Sequence, residues 1–150
     1  MSVFFHQLEK ALSALQTANK IWHRSAQGSD DELTQTARSG TIQNFEVAYE
    51  QSWKLLKRWM EHYLGVQDSE VTQRRQLFRI AAKHGLIDDV EQWWRFHEAR
   101  NKTSHVYEEQ VAKDVALVAS SFIVPCGALI AMLKARSDLP DPLTDTSAAK

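Results

Sequence analysis

The stretch ARNKTSHVY, Ala99 to Tyr107, gathers an arginine, an asparagine, a histidine and a tyrosine between two strongly helical segments. These are residue types that hold and cut phosphodiesters. Cleaving an RNA strand requires a proton taken from the 2′-hydroxyl, a proton given to the leaving oxygen, and positive charge on the phosphorane. An imidazole titrating near neutral pH serves the first two, and a guanidinium serves the third through paired donors. Arg100 and His105 are the catalytic candidates, and this chemistry calls for no metal and no cofactor. One chain supplies a single such histidine in this segment, so a two-fold homodimer joining two copies of it completes the set. Tyr107 is different, because a phenol with an unperturbed pKa of about 10 is a poor base. Its hydroxyl suits hydrogen-bond donation or acceptance of a transferred nucleotidyl group.

Position decides whether these groups meet. On an unbroken helix, Arg100 and His105 stand about 140° apart and diverge. A break between them lets both turn toward one point. Asn101 tolerates the left-handed conformation that ends helices, and Thr103 and Ser104 can bond locally or cap a succeeding helix. If His105 to Tyr107 is extended, alternation puts those two side chains on one side. If Ser104 caps the next helix, His105 sits at its positive end, where the imidazole pKa falls and phosphate is attracted. Upstream, Val90, Trp93, Trp94, His97 and Arg100 follow helical spacing, which carries Arg100 to the end of a buried stripe. Glu98 and Asn101 are expected to orient it as supporting residues.

The elements that must do this positioning are all helical. Three- and four-residue spacing recurs throughout, and no window alternates as a strand would. Leu8, Leu12 and Leu15, with Ala11 and Trp22, give a face to a first helix near 3–24. Ser29 with Glu32 forms a capping-box pattern for a second helix over 30–64, striped by Phe45, Ala48, Ser52, Leu55, Leu56, Trp59 and Tyr63 and ended by Gly65. Ser69 caps a third, about 70–84, stopped by Gly85; Asp88 with Glu91 opens a fourth, about 89–101. A fifth begins at Glu108 or Glu109 and runs to about Ala135, with a kink expected at Pro125. Short connections imply an all-α, up-and-down antiparallel bundle of four to five helices over 1–136, with a frayed, flexible tail over 137–150.

Bulk composition narrows the function. At 150 residues and 43% hydrophobic content the chain suits one domain with a core that needs no staples. The single cysteine, Cys126, reads as a buried thiol in a reducing compartment. The N-terminus lacks a signal-peptide pattern, and the apolar window Val115–Leu133 is interrupted by Ser120, Ser121, Pro125 and Gly127, so a cytoplasmic protein with no membrane span is expected. His62, His84 and His97 lack the paired spacing of a zinc site. A net charge of −1 excludes a broad basic surface, so contacts to nucleic acid must be local. They would draw on Arg74, Arg75, Arg79 and Lys83, or on Arg95, Arg100 and Lys102, where the ordinary alternative is a solvated helix face.

Arg100-x4-His105-x-Tyr107, with Asn101 after the arginine, resembles the R-N-x3-H-x-Y signature of the HEPN superfamily. The upstream run of Gln43, Phe45, Glu46, Tyr49, Glu50, Trp53, Lys54, Leu55, Leu56 and Lys57 is similar to the branch called nucleotidyltransferase substrate-binding proteins. So is Gly85-Leu86-Ile87 ahead of Trp93. Ala99 departs from the acidic residue expected beside the motif arginine. The resemblance implies a HEPN-like bundle that dimerises with its R-x4-H motifs facing across a cleft. It implies a metal-independent endoribonuclease, the toxin of a type VII-like HEPN–MNT toxin–antitoxin pair. Its partner would be a cognate minimal nucleotidyltransferase, the antitoxin, which silences it by transferring AMP to the motif tyrosine (AMPylation). Carried over, Arg100 and His105 are catalytic, Asn101 is supporting and Tyr107 is the modified AMP acceptor. The alternative is a non-catalytic nucleotide- or substrate-binding subunit of a two-component nucleotidyltransferase; beyond both lies a plain helical scaffold.

Overall fold

A computed structural model describes residues 1–137, so nearly all of the expected tail lies outside the described residues. Five α-helices follow in order: α1 Ser2–Ser25, α2 Asp31–Leu64, α3 Arg74–Lys83, α4 Val90–Asn101 and α5 Glu109–Ser137, with short 3-10 turns at Asp68–Glu70 and Lys102–His105. There is no strand among the described residues. The fold is the expected all-α bundle.

Leucine spacing on α1 buries Leu8, Leu12 and Leu15 against α2, and a five-residue connection makes the two helices a long hairpin. Helix α5 lies against both; α4 packs on α2 and α5; and α3 bridges α2 and α4. The centre of the core is aromatic. Phe122 of α5 meets Phe45, Trp93 and Phe96 edge-on at ring separations of 5.4, 5.6 and 4.9 Å. Edge-to-face packing of this kind stabilises beyond the area it buries.

Capping differs from the expectations by small shifts. Asp30, not Ser29, caps α2 by accepting from the Leu33 N–H at 3.0 Å. Asp89, not Asp88, caps α4 by accepting from the Glu91 and Gln92 N–H groups at 3.0 and 3.2 Å. In both places two adjacent residues can cap, and the helix dipole favours the carboxylate nearest the free N–H groups. Ser69 falls inside the first 3-10 turn, which Gln67 and Glu70 fix reciprocally, and α3 starts later, at Arg74. Gly65 and Gly85 do end their helices, at φ 65° and 72°, where other residues would be strained.

Helix α5 stays a single helix through Pro125 and reaches Ser137, so that residue belongs to the bundle and not to the tail. The Trp59 indole ties this end down, donating to Ser137 Oγ at 2.8 Å. By length and composition α5 could cross a bilayer. Here its Val115, Ala119, Phe122, Cys126, Leu129 and Leu133 stripe is buried in the core.

Candidate functional site

The motif lies where α4 gives way to the second 3-10 turn. Thr103 causes the tightening: its hydroxyl donates to the Arg100 carbonyl at 2.7 Å, satisfying an acceptor the ending helix would leave free. Asn101 keeps right-handed helical angles (φ −66°, ψ −27°), so the expected left-handed stop does not occur. Nor is His105–Tyr107 extended, or Ser104 a cap for α5. His105 closes the 3-10 turn, Val106 is near-helical (φ −71°, ψ −4°), and the Ser104 hydroxyl donates back to the Asn101 carbonyl. Tight turning and extension both bring His105 and Tyr107 together, and they do meet: His105 Nδ1 lies 3.3 Å from the Tyr107 hydroxyl. Both side chains are exposed, Tyr107 at 77%.

Arg100 is held from below by α2. Its Nε lies 3.2 Å from Glu50 Oε1 and its Nη1 3.8 Å from Glu46 Oε2, while Nη1 also donates to Thr103 Oγ1 at 3.1 Å. The Glu50 contact is close enough for an ion pair but is misaligned for a hydrogen bond, which leaves the buried Nε–H unpaired. Side chains of Arg100, Glu46 and Glu50 are each about one-third exposed, so the cation sits at the rim and is neither sealed in nor free.

The expected supports do not hold it. Glu98 is two residues from Arg100, hence on the opposite side of the helix, and it makes no hydrogen bond or ion pair among the described residues. It lines a shallow groove between α4 and α5 with Arg95, Lys102 and Asp114. The cluster of Arg95, Arg100 and Lys102 is therefore divided, with only Arg100 turned to α2. Asn101 approaches His97 instead, Nδ2 to Nε2 at 3.3 Å.

His97 proves to be the hub of a layer beneath the motif. Its Nδ1 is 2.8 Å from the Tyr49 hydroxyl and its ring lies 4.9 Å from Trp94. Burial, helped by the Arg74 charge, holds its pKa below the ordinary imidazole value, so the ring stays neutral at neutral pH. Burial also pushes the Tyr49 phenol far above its usual range. Sequence reasoning placed Glu46, Tyr49 and Glu50 only in the run that resembles the family and gave Thr103 only a local bond or cap, and it joined none of them to Arg100 or His97. For the three on α2 the available signal was their place beside Phe45 and Ala48 on the buried stripe, where charged and hydroxyl groups need partners. Among the described residues no three His, Cys, Asp or Glu side chains cluster to hold a metal ion.

Residues 4–135 match the family model described as nucleotidyltransferase substrate binding protein like. Over 103 residues the chain is 31% identical to a Haemophilus influenzae protein named Probable ribonuclease HepT, covering 68% of this chain and 70% of that protein. A solved Haemophilus influenzae structure, described as revealing the fold of a substrate binding domain of a nucleotidyltransferase, has a TM-score of 0.77 at 27% identity, covering 87% of this chain and 98% of that one. A crystal structure from Thermus thermophilus has a TM-score of 0.71 at 21% identity, over 85% and 98% of the two chains, a likeness of fold alone.

Proposed function

Since the chain belongs to the nucleotidyltransferase substrate-binding branch of the HEPN superfamily, we propose that it is a metal-independent endoribonuclease toxin, silenced by AMP transfer from a cognate minimal nucleotidyltransferase. One observation carries this reading. Arg100 is fixed at the rim by Glu50, Glu46 and Thr103, while His105 and Tyr107 stand exposed on the adjoining turn. In a homodimer that faces two such turns, one His105 takes the 2′-hydroxyl proton and the 2′-oxygen attacks the adjacent phosphorus. The 5′-oxygen leaves with a proton from the partner's His105, giving a 2′,3′-cyclic phosphate. The paired Arg100 guanidinia hold the non-bridging oxygens. Tyr107, exposed and hydrogen-bonded to His105, has the access an AMP acceptor needs: its proton passes to the His105 imidazole, its oxygen bonds to the α-phosphorus of ATP, and pyrophosphate leaves. A group added there blocks His105.

Expression of the protein alone should slow growth and degrade RNA, and Arg100→Ala or His105→Ala should relieve both. Harmless expression of a folded, dimeric wild type would overturn the nuclease reading. On co-expression with a minimal nucleotidyltransferase encoded beside it, the intact mass should rise by one or more AMP units, and Tyr107→Phe should abolish the rise. No rise would remove Tyr107 as acceptor.

A second reading, a non-catalytic nucleotide- or substrate-binding subunit, is favoured by two carboxylates already standing on the Arg100 charge and by the net charge of −1. The same expression test separates the two.

A further inference from the structure

Arg74, on α3, is a cation the chemistry above leaves unused. Its guanidinium carbon lies 3.2 Å from the centre of the Trp53 ring, a stack that joins α3 to α2. The side chain is half-buried, its Nε is buried without a partner, and it makes no ion pair among the described residues. It stands within hydrogen-bonding reach of the Tyr49 phenol, and the Glu50 carboxylate is near enough to bear on its charge without closing an ion pair. Other half-buried arginines differ: Arg38 pairs with Glu109, Arg75 with Glu91 and Arg100 with Glu50, while Arg136 donates to the His84 carbonyl. A half-buried charge with no carboxylate in ion-pair contact is incompletely compensated, and an anionic ligand can complete it.

Its place relative to the motif is defined by contacts. The Trp53 indole beneath Arg74 donates to Glu50 Oε2 at 3.0 Å, and the other oxygen of that carboxylate faces Arg100. Lys54 Nζ lies 5.7 Å from the same indole; Arg75 lies 4.7 Å over Trp94, whose ring leans on His97. Cations from α2 and α3 thus stand on indoles of α2 and α4 beside the motif. An aromatic ring under a guanidinium fixes its plane and leaves the outer N–H edge for an anion. Cations interleaved with aromatic rings are how proteins follow a single strand, where phosphates recur and every base has a face to stack.

We propose that Arg74, braced on Trp53, binds a backbone phosphate of single-stranded RNA adjoining the one held at Arg100. This rests on the reading that this end of the bundle handles RNA. The test is binding, not cleavage. A fluorescent 2′-O-methyl oligouridine cannot be cut, because its 2′-oxygen is capped, and its affinity is measured across a potassium chloride series. Arg74→Gln should weaken binding about tenfold, the worth of one charge-assisted hydrogen bond. It should also reduce the slope of log affinity against log salt by about 0.7, the release expected for one single-strand phosphate. Arg74→Lys, which keeps the charge and loses the flat stack, should keep the slope and lose affinity. Arg24→Gln, an equal loss of charge at the exposed end of α1, should change neither. An unchanged slope in Arg74→Gln, or no binding by the wild type, overturns the proposal. A wild type that cuts no RNA yet shows the Arg74-dependent slope refutes the nuclease and leaves this site standing.

Discussion

Glu50→Gln keeps the shape of the side chain and removes one charge from between Arg100 and Trp53. At the observed 3.2 Å, Coulomb attraction amounts to about 5 kcal/mol at an effective dielectric near 20 and about 1.3 kcal/mol in water. Both side chains are one-third exposed, so screening and lost hydration reduce the net contribution to about 1–2 kcal/mol. Spread over an unfolding entropy of about 2.1 cal/mol/K per residue, that is a fall in Tm of roughly 3–6 °C. If the same energy serves to aim the guanidinium at the reacting phosphate, kcat for RNA cleavage drops about 5- to 30-fold. The two roles are separable. KM should fall, because a negative charge has left the site, while kcat declines. A double-mutant cycle with Arg100→Gln, followed by urea unfolding at fixed protein concentration, should give a coupling of about 1 kcal/mol. Additivity within about 0.3 kcal/mol would show that Glu50 does not hold Arg100, and a higher kcat in Glu50→Gln would show that the carboxylate masks the arginine and does not aim it.

Three further expectations concern the interior. Because His97 titrates below its ordinary pKa of about 6.5, the unfolded chain binds the proton first as pH falls. The stabilisation from its neutral ring is full above about 6.5 and is lost as pH drops toward the folded-state value. Between pH 8 and 5 the Tm of wild type should therefore fall more than that of His97→Gln, and parallel curves would contradict the assignment. Burial pushes the Cys126 thiol up to about 11, so iodoacetamide at pH 8 should label it only after unfolding; rapid labelling of native protein would place it outside the core. Phe122→Ala removes the ring at the centre of the aromatic cluster and should cost about 3–5 kcal/mol by urea denaturation, whereas a loss under about 1 kcal/mol would mean the cluster closes around the gap.

The helices were legible because burial follows spacing. Leu8, Leu12 and Leu15 on α1, and Phe45 through Trp59 on α2, are buried as their periodicity requires. Capping sites were legible to within a residue or a turn, since Ser29 beside Asp30 and Asp88 beside Asp89 compete on nearly equal terms. The type of turn after Arg100 was not legible. It is decided by one Thr103 hydroxyl returning to a carbonyl, a choice that composition does not distinguish from an extended break. The partners of Arg100 were misplaced for a geometric reason. Neighbours in sequence such as Glu98 point the other way round the helix, and the carboxylates that hold the arginine arrive from α2, some fifty positions earlier. Only packing brings them together.

Tyr107 projects from a short connector between two long helices, and its ring carries almost none of the bundle's interior contacts. A group attached to that hydroxyl would add its bulk outside the folded mass, clear of the packed core. A switch placed there would work by obstruction at the rim and leave the helices packed as they are.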